Sequence, residues 1–584
     1  MTAALPKTTE RYVRVAHEQD LDADRPLLVK AEGRAIALVK TNGQIYAIDN
    51  RCPHMGFPLH QGSVKNCILT CHWHHARFDL TSGGTFDIWA DDGRAFPVKV
   101  DRGEIWVDIA EKADPVAHQR QRLQDGLEQS ISLILAKAAL GLLDGGVAVS
   151  EPFQTGLSFG ARYRQAGWST GLTIHTSLFN LLPYLDAADR SKALYHGLSA
   201  VARDCSGEPP RFLVQPLPSI PDLATLKAWF RQFVEVRDTQ GAQRCLVSAV
   251  QAGVSRTALA DMLFAAATDH RLIDGGHTLD FTNKALEALD ATDWQDADWV
   301  LTSLVRGYAH ATRMEESNEW RHPIDLVELL TQTFAQLETA LETGQPQRGS
   351  WSGRAALVPT LLANDPHAIA DSLLAALRQG ATETDLAETV AYAAALRIAQ
   401  FSSNNDFRDW DTAHHTFTFA NAVHQGLQRV PSVALLRGVF DAAVSVYLDR
   451  FLNMPPARLP NPAKQVDNPE ALLAALPELL DKQQQVAEAG QLVGRYLYSG
   501  GDPQPLLAML GHLLLREDRD FHTIQNVEAA FRLYQHLQET DAGIHILVAT
   551  ARYLAAHAPT VRSQGQTYQM AYRLHKGDRV FEAD

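Results

Sequence analysis

The sequence predicts a multidomain α and β protein, in which an all-β N-terminal domain is followed by a large all-α domain of duplicated helical repeats. Three observations lead to this fold class. Short strand-like runs separated by turn residues continue to about residue 112, longer Ala- and Leu-rich segments follow from about residue 126, and one motif recurs within that second region. The 584 residues, 46% hydrophobic and 21% charged, have the composition of an ordinary globular protein.

The first region has the pattern of antiparallel strands. Its β-branched and aromatic runs are separated by NG, GR, DDG and RG turn signals, and several of them alternate apolar and polar residues. The six runs are YVRVA, PLLVKA, AIALVK, QIYAID, AFPVKV and EIWVDI. We therefore expect a β domain over residues 1–112 and a polar linker over residues 113–125.

The second region, residues 126–584, repeats a His-Thr dipeptide that an Asn follows within about two helical turns. Its apolar residues recur at helical spacing. The dipeptides begin at His175, His277, His415 and His522, and the Asn residues are Asn180, Asn283, Asn421 and Asn526. The intervals between dipeptides are 102, 138 and 107 residues. The similar first and third intervals predict an internal duplication, with halves at 126–345 and 346–584.

Charge and composition exclude several classes of partner. The formal net charge of -15 disfavours binding to nucleic acid or to an anionic membrane, because both need a basic surface. No apolar run is long enough to cross a bilayer, and the N-terminus lacks the apolar core of a signal peptide. Five Cys cannot form a disulfide framework in a chain of this length. We therefore expect a cytoplasmic protein.

Residues 51–81 hold the strongest chemical signal. Cys52-Pro-His54 is followed, after sixteen intervening residues, by Cys71-His-Trp-His74. Two Cys and two His also suit a structural zinc site, but zinc fingers pair Cys with Cys and His with His, whereas each segment here is mixed. The pattern resembles the Rieske family, and the resemblance covers only about the first 112 residues.

This resemblance implies a 2Fe-2S cluster with Cys52 and Cys71 on one iron and His54 and His74 on the other. Respiratory Rieske proteins carry an extra Cys in each loop, and this chain does not. The resemblance is therefore to Rieske ferredoxins and oxygenase Rieske domains, with a reduction potential toward the lower end of the range, about -150 mV. His72 and His75 stand where such proteins more often have Pro and Gly.

The helical region does not fit the catalytic domain of a standard Rieske oxygenase, which is α/β and binds mononuclear iron through a local two-His signature. That signature resembles Asp274-Gly-Gly-His277 and Asp411-Thr-Ala-His414, but neither segment has the second His about five residues further on. If equivalent helices face a common axis, His175, His277, His415 and His522 form a second metal site. Imidazoles suit non-haem iron, and also haem or zinc. The alternative is structural: Thr caps each helix and His packs between layers.

The predicted function is that of a Rieske-type iron–sulfur oxidoreductase. No nicotinamide or flavin motif is present, so an external electron donor protein would reduce the cluster. The electrons would reach the His-rich metal site for oxygen-dependent oxidation of a small-molecule substrate. The alternative is an electron-transfer or redox-sensing protein whose helical repeats dock a partner. Cys67, Cys205 and Cys245 have no evident role.

Overall fold

The computed structural model describes residues 11–110, 115–461 and 468–578. The chain divides into two compact units, one formed by Met1–Pro152 with Gln564–Asp584 and the other by Phe153–Ser563. The predicted fold class is confirmed, since a β domain precedes a helical region and 61% of the described residues are helical. Among the described residues, no helix has the length and apolar character needed to cross a bilayer.

The β domain contains ten strands within the described residues, and every pairing between them is antiparallel. The strands are β1 Tyr12–His17, β2 Leu27–Ala31, β3 Arg34–Thr41, β4 Gln44–Asp49, β5 Ser63–Lys65, β6 Ile68–Thr70, β7 Arg77–Asp79, β8 Ala95–Phe96, β9 Val98–Asp101 and β10 Glu104–Asp108. They form three sheets, with strand orders β1-β10-β9, β2-β3-β4-β8 and β5-β6-β7.

Strand β3 is buried on both faces and separates two apolar cores. Ile36 and Leu38 face one core, whereas Ala37 and Val39 face the other, which also contains the apolar residues around β6 and β7. This follows from the alternation of side chains along a strand. The hairpin from β3 to β4 turns at Asn42-Gly43, and both residues have positive φ, as a two-residue hairpin loop of this kind requires.

The described residues contain twenty-four α-helices. They are α1 Pro115–Gln129, α2 Ser132–Asp144, α3 Ser150–Arg162, α4 Thr170–Leu181, α5 Ala187–Cys205, α6 Leu223–Glu235, α7 Thr239–Gln251, α8 Arg256–Ala267, α9 His277–Asp290, α10 Ala297–His310, α11 Asn318–Arg321, α12 Leu326–Phe334, α13 Leu337–Gly344, α14 Arg354–Leu361, α15 Pro366–Arg378, α16 Glu383–Ala399, α17 Asp409–Arg429, α18 Val433–Leu448, α19 Pro469–Leu480, α20 Val486–Tyr498, α21 Pro503–Leu515, α22 Phe521–Leu537, α23 Asp541–Ala556 and α24 Ser563–His575.

The segment expected to be a linker, residues 113–125, is helical from Pro115 onward, while residues 113 and 114 lie outside the described residues. Its composition is polar, but Leu123 and Leu127 are both buried. Residues four apart share one helix face, so this pair is enough to anchor α1 against its neighbour α2. Helices α1 and α2 belong to the same compact unit as the β domain, whereas the sequence predicts the helical domain from residue 126.

The four helices that carry His-Thr dipeptides pack together in the Phe153–Ser563 unit. Helix α4 contacts α9, α9 contacts α17, α17 contacts α22, and α22 returns to α4, so the four form a closed bundle. The alternative in which the Thr of each dipeptide caps the N-terminus of its helix does not describe these helices. His175 and His415 lie inside their helices, and α22 is capped by Asp520, whose carboxylate accepts a hydrogen bond from the Thr523 backbone N–H.

Candidate functional sites

Two loops of the same design present the predicted cluster ligands. Cys52 and His54 follow β4, and Cys71 and His74 lie between β6 and β7. In each loop the Cys backbone N–H donates to the carbonyl five residues later, at 2.9 Å for Cys52 and 2.8 Å for Cys71. The residue four after each Cys has positive φ, so the loops close in the same way. That residue is Gly56 in the first loop and His75 in the second.

The four side chains converge between these loops. The His54 and His74 ring centroids are 4.9 Å apart and nearly perpendicular. Cys52 and Cys71 are each 2% exposed. The Cys52 thiol donates a hydrogen bond to the Cys71 sulfur, which lowers the pKa of Cys71 to about 6 and raises that of Cys52. Backbone N–H groups also point at both sulfurs, and such donors stabilise thiolates.

The imidazoles are suited to bind metal in the neutral form. Burial, followed by the charges of His74 and Lys137, lowers the pKa of His54 to about 4. His74 is exposed, and the exposed edge of Trp89 meets the His54 ring at a centroid distance of 4.8 Å. Two buried thiols held by backbone donors, together with two imidazoles, fit a 2Fe-2S cluster whose sulfur side is enclosed and whose histidine side reaches the surface.

The comparisons with known proteins agree with this geometry. A family model described as the Rieske [2Fe-2S] domain matches residues 11–94. The ferredoxin component of the naphthalene 1,2-dioxygenase/salicylate 5-hydroxylase systems from Ralstonia sp is 30% identical over 98 residues, which are 17% of this chain and 94% of the relative. The chain belongs to the Rieske family. No family model matches the helical remainder.

Two further relatives show how far the similarity of this Rieske protein extends. Apoptosis-inducing factor 3 from Mus musculus is 29% identical over 181 residues, which are 31% of this chain and 28% of the relative. The chain therefore spans less than a third of that relative's length. Among solved structures, the ferredoxin of carbazole 1,9a-dioxygenase from Nocardioides aromaticivorans IC177 is 30% identical, with 17% of this chain and 96% of that chain covered and a TM-score of 0.16.

A buried lysine beside the first cluster loop is a residue that sequence reasoning missed. Lys137 of α2 is 7% exposed, and its ammonium donates to the backbone carbonyls of Pro53 and His54. Burial lowers the pKa of Lys137 to about 8. In the sequence, Lys137 interrupts the apolar run SLILAKAALGLL. A single lysine in so apolar a helix indicates a polar contact elsewhere in the fold, because a buried lysine needs polar partners.

Three of the four His-Thr histidines meet in the helical unit. The side chains of His277, His415 and His522 are half-buried, and one nitrogen from each lies within 4.8 Å of the others. The Nε2 atoms of His415 and His522 are 3.1 Å apart. Two nitrogens bound to one ion at about 2.1 Å are roughly 3.0 Å apart at a right angle and roughly 3.4 Å apart at the tetrahedral angle. This pair is therefore already at the spacing of two metal ligands. We call the three residues the three-His group.

The surroundings keep the three-His group uncharged and oriented. Burial lowers the pKa of His277 to about 3 and that of His415 to about 4. Asp411 Oδ1 lies 3.8 Å from His522 Nδ1. His414 is fully buried beside the group, with its ring centroid 5.0 Å from that of His522, and its Nε2 has no hydrogen-bond partner among the described residues. The arrangement presents neutral imidazoles to a common point.

His175, the fourth predicted ligand, lies elsewhere. Its Nε2 donates to the Phe153 carbonyl at 3.0 Å, its ring stacks on the Phe153 ring, and it is 2% exposed. Burial lowers the pKa of His175 to about 4, so the ring is neutral and fully enclosed. The structure therefore brings together His277, His415 and His522, and gives His175 a packing position instead.

The interior of the four-helix bundle holds a charged network that sequence reasoning also missed. The ammonium of Lys284 donates to Glu287 at 3.0 Å and to Glu528 at 2.7 Å, and the Asn180 amide bridges the same two carboxylates. Asp280 accepts a hydrogen bond from the Gln525 amide, and burial raises the pKa of Asp280 to about 7. This network could have been expected from the Asn that follows each His-Thr dipeptide, since recurrent Asn residues in amphipathic helices indicate a polar interior.

Proposed function

We propose that the protein is an iron–sulfur oxidoreductase whose helical unit binds a redox-active metal ion at His277, His415 and His522, with a small molecule as the substrate of an oxygen-dependent oxidation. The observation that supports this proposal most directly is the 3.1 Å separation of the His415 and His522 Nε2 atoms. Without an ion, these two neutral imidazoles could form only one N–H···N hydrogen bond between their Nε2 atoms. A metal ion would instead bind the lone pairs of both Nε2 atoms.

The Rieske domain would supply the electrons. When bound, a 2Fe-2S cluster supplies reversible one-electron transfer. The Cys52 and Cys71 side chains are buried, whereas His54 is half-buried and His74 is exposed. An external donor protein would therefore exchange electrons with the cluster through the exposed surface at His54 and His74. The ferredoxin-component relative from Ralstonia sp supports such a role, because its name places it in a dioxygenase system.

The chain's own residues fix the chemistry of the helical site. Three imidazoles leave coordination positions open for a further ligand, and the non-haem iron and zinc sites of enzymes use such positions. The carboxylates of Asp411 and Asp520 each lie 3.8 Å from His522 Nδ1, so they favour a proton on that nitrogen and a lone pair on the Nε2 that faces His415.

The test is metal analysis of the full-length, cluster-loaded protein. We expect two irons and two acid-labile sulfides per chain, together with a metal ion that depends on the three-His group. The double variant His277→Ala, His415→Ala should lose that ion and keep the cluster, whereas the exposed His367→Ala control should keep all the metal. After reduction with dithionite, reoxidation by oxygen should be slower in the double variant. A wild-type protein with two irons and no further metal would reject this proposal and favour a helical unit that docks a partner.

A further inference from the structure

A second group of metal-binding side chains lies in the helical unit. Glu388 of α16, His424 of α17 and His536 of α22 each place one donor atom within 4.8 Å of the others. The His424 side chain is 1% exposed, Glu388 is half-buried and His536 is exposed. His424 follows His415 by nine residues, so the two groups are about 14 Å apart along α17.

Gln428 shows that the two imidazoles face the same point. Its Nε2 lies 3.1 Å from His424 Nε2 and 3.3 Å from His536 Nε2. Both ring nitrogens therefore point at this one amide group, and in the tautomers with the proton on Nδ1 both present lone pairs to it. A half-turn of the amide about its last bond exchanges its nitrogen and oxygen. The amide oxygen would then take the same place and could itself bind a cation.

The carboxylate completes the set of donors. Glu388 Oε2 lies 3.9 Å from His424 Nε2, while Oε1 accepts a hydrogen bond from Arg354. Ligating carboxylates are commonly held through their second oxygen in this way. The buried His424 ring is also poorly satisfied without an ion. Its Nδ1 has no partner among the described residues, and its Nε2 shares one amide with His536.

We propose that Glu388, His424 and His536 bind a divalent transition-metal ion of the zinc class, with Gln428 as a further oxygen ligand. Two imidazole nitrogens and carboxylate or amide oxygen suit such ions, whereas Mg²⁺ and Ca²⁺ prefer oxygen alone. The exposed edge of His536 gives the ion access from solvent. This site goes beyond the proposed function, because it uses none of the three-His residues.

Zinc binding in a protein that lacks the three-His group tests the proposal. The starting protein is full length, cluster-loaded, and carries His277→Ala and His415→Ala. Equilibrium dialysis against micromolar Zn²⁺ should leave one zinc ion per chain, with the iron content unchanged. Adding His536→Ala, an exposed position, or Glu388→Gln should weaken zinc binding at least about tenfold. Adding His367→Ala, another exposed histidine, should leave it unchanged.

Two results would overturn the proposal. One is the absence of tightly bound zinc in the starting protein. The other is equal zinc affinity with and without His536→Ala, which would place the metal elsewhere. Circular dichroism shows whether each variant is folded, and His536→Ala keeps the test valid if Glu388→Gln unfolds. Because the three-His group is already removed, either result is independent of the fate of the proposed function.

Discussion

The variant Asp280→Asn tests the charge state of the bundle interior. The carboxyl is fully buried, and its pKa rises from 3.8 to about 7. That shift corresponds to about 4 kcal/mol between the two charge states. The unfolded chain releases the proton near pH 4, whereas the folded protein keeps it to about pH 7. The natural protein therefore loses about 1.4 kcal/mol of stability per pH unit within this window as the pH rises.

Asn does not titrate, and its amide oxygen can still accept the hydrogen bond from Gln525. We therefore expect the stability of Asp280→Asn, relative to the natural protein, to rise by about 2.5 kcal/mol from pH 5 to pH 8. Urea unfolding followed by circular dichroism at 222 nm reports on the helices. The control is Asp325→Asn at the start of α12. A backbone hydrogen bond from Glu328 lowers the Asp325 pKa, so its charge does not change in this range.

An equal change in the stability of Asp280→Asn at pH 5 and pH 8 would refute this reasoning. It would mean that the folded protein holds Asp280 ionised throughout, with Lys284 and its neighbours compensating the extra charge. A gain at pH 8 in the Asp325→Asn control would instead show that general charge reduction, and not burial at Asp280, causes the effect.

Three further predictions concern single side chains. Lys284→Met removes the buried cation from Glu287 and Glu528 and leaves them only the partly exposed Arg532, so it should cost about 3–5 kcal/mol in urea unfolding. Lys227→Met, at a partly exposed ion pair, should cost about 1 kcal/mol or less, and equal costs for the two variants would contradict the buried network. His75 has φ +64°, a conformation that glycine adopts without strain, so His75→Gly should stabilise the cluster loop by about 0.5–1 kcal/mol. On heating, the cluster absorbance should then be lost at a higher temperature. An unchanged midpoint temperature would show that the loop is not strained at this residue. Lys137→Met should lower the cluster's reduction potential by roughly tens of millivolts in a redox titration, because it removes a cation that lies against the Pro53 and His54 carbonyls of the first cluster loop. Lys137→Arg should restore the potential.

The β domain was largely predictable because its long strands alternate. All six predicted runs coincide with strands β1–β4 and β8–β10. Of the three strands beside the cluster loops, β7 was expected after the second loop, and β5 and β6 were missed. Strands β5, β6 and β7 have three residues each, too few for alternation to be visible, and pairing with one another is what makes them strands. The convergence of Cys52, His54, Cys71 and His74 was predictable because their spacing is local, with both members of each pair in one short loop.

The helical sites were predictable only in part, because their residues come from remote segments. The recurrence of His-Thr identified the four helices that pack together, although neither their order nor their interior followed from it. Glu388, His424 and His536 belong to no recurring motif, and 148 residues separate the first from the last. Lys137 contacts backbone carbonyls, which every residue possesses, so no residue in the cluster motif indicates it.

The position of His175 shows how packing outside a motif decides the direction of a side chain. Two glycines enclose its ring: a Cβ at Gly156 of α3 would lie 2.6 Å from Nε2, and a Cβ at Gly197 of α5 would lie 2.5 Å from Nδ1. Both distances are far inside van der Waals contact, so the slot for this imidazole exists only because those residues are glycines. They lie 19 residues before and 22 residues after His175, outside the repeated dipeptide. The same His-Thr dipeptide therefore contributes to the three-His group on three helices and makes a packing contact on α4.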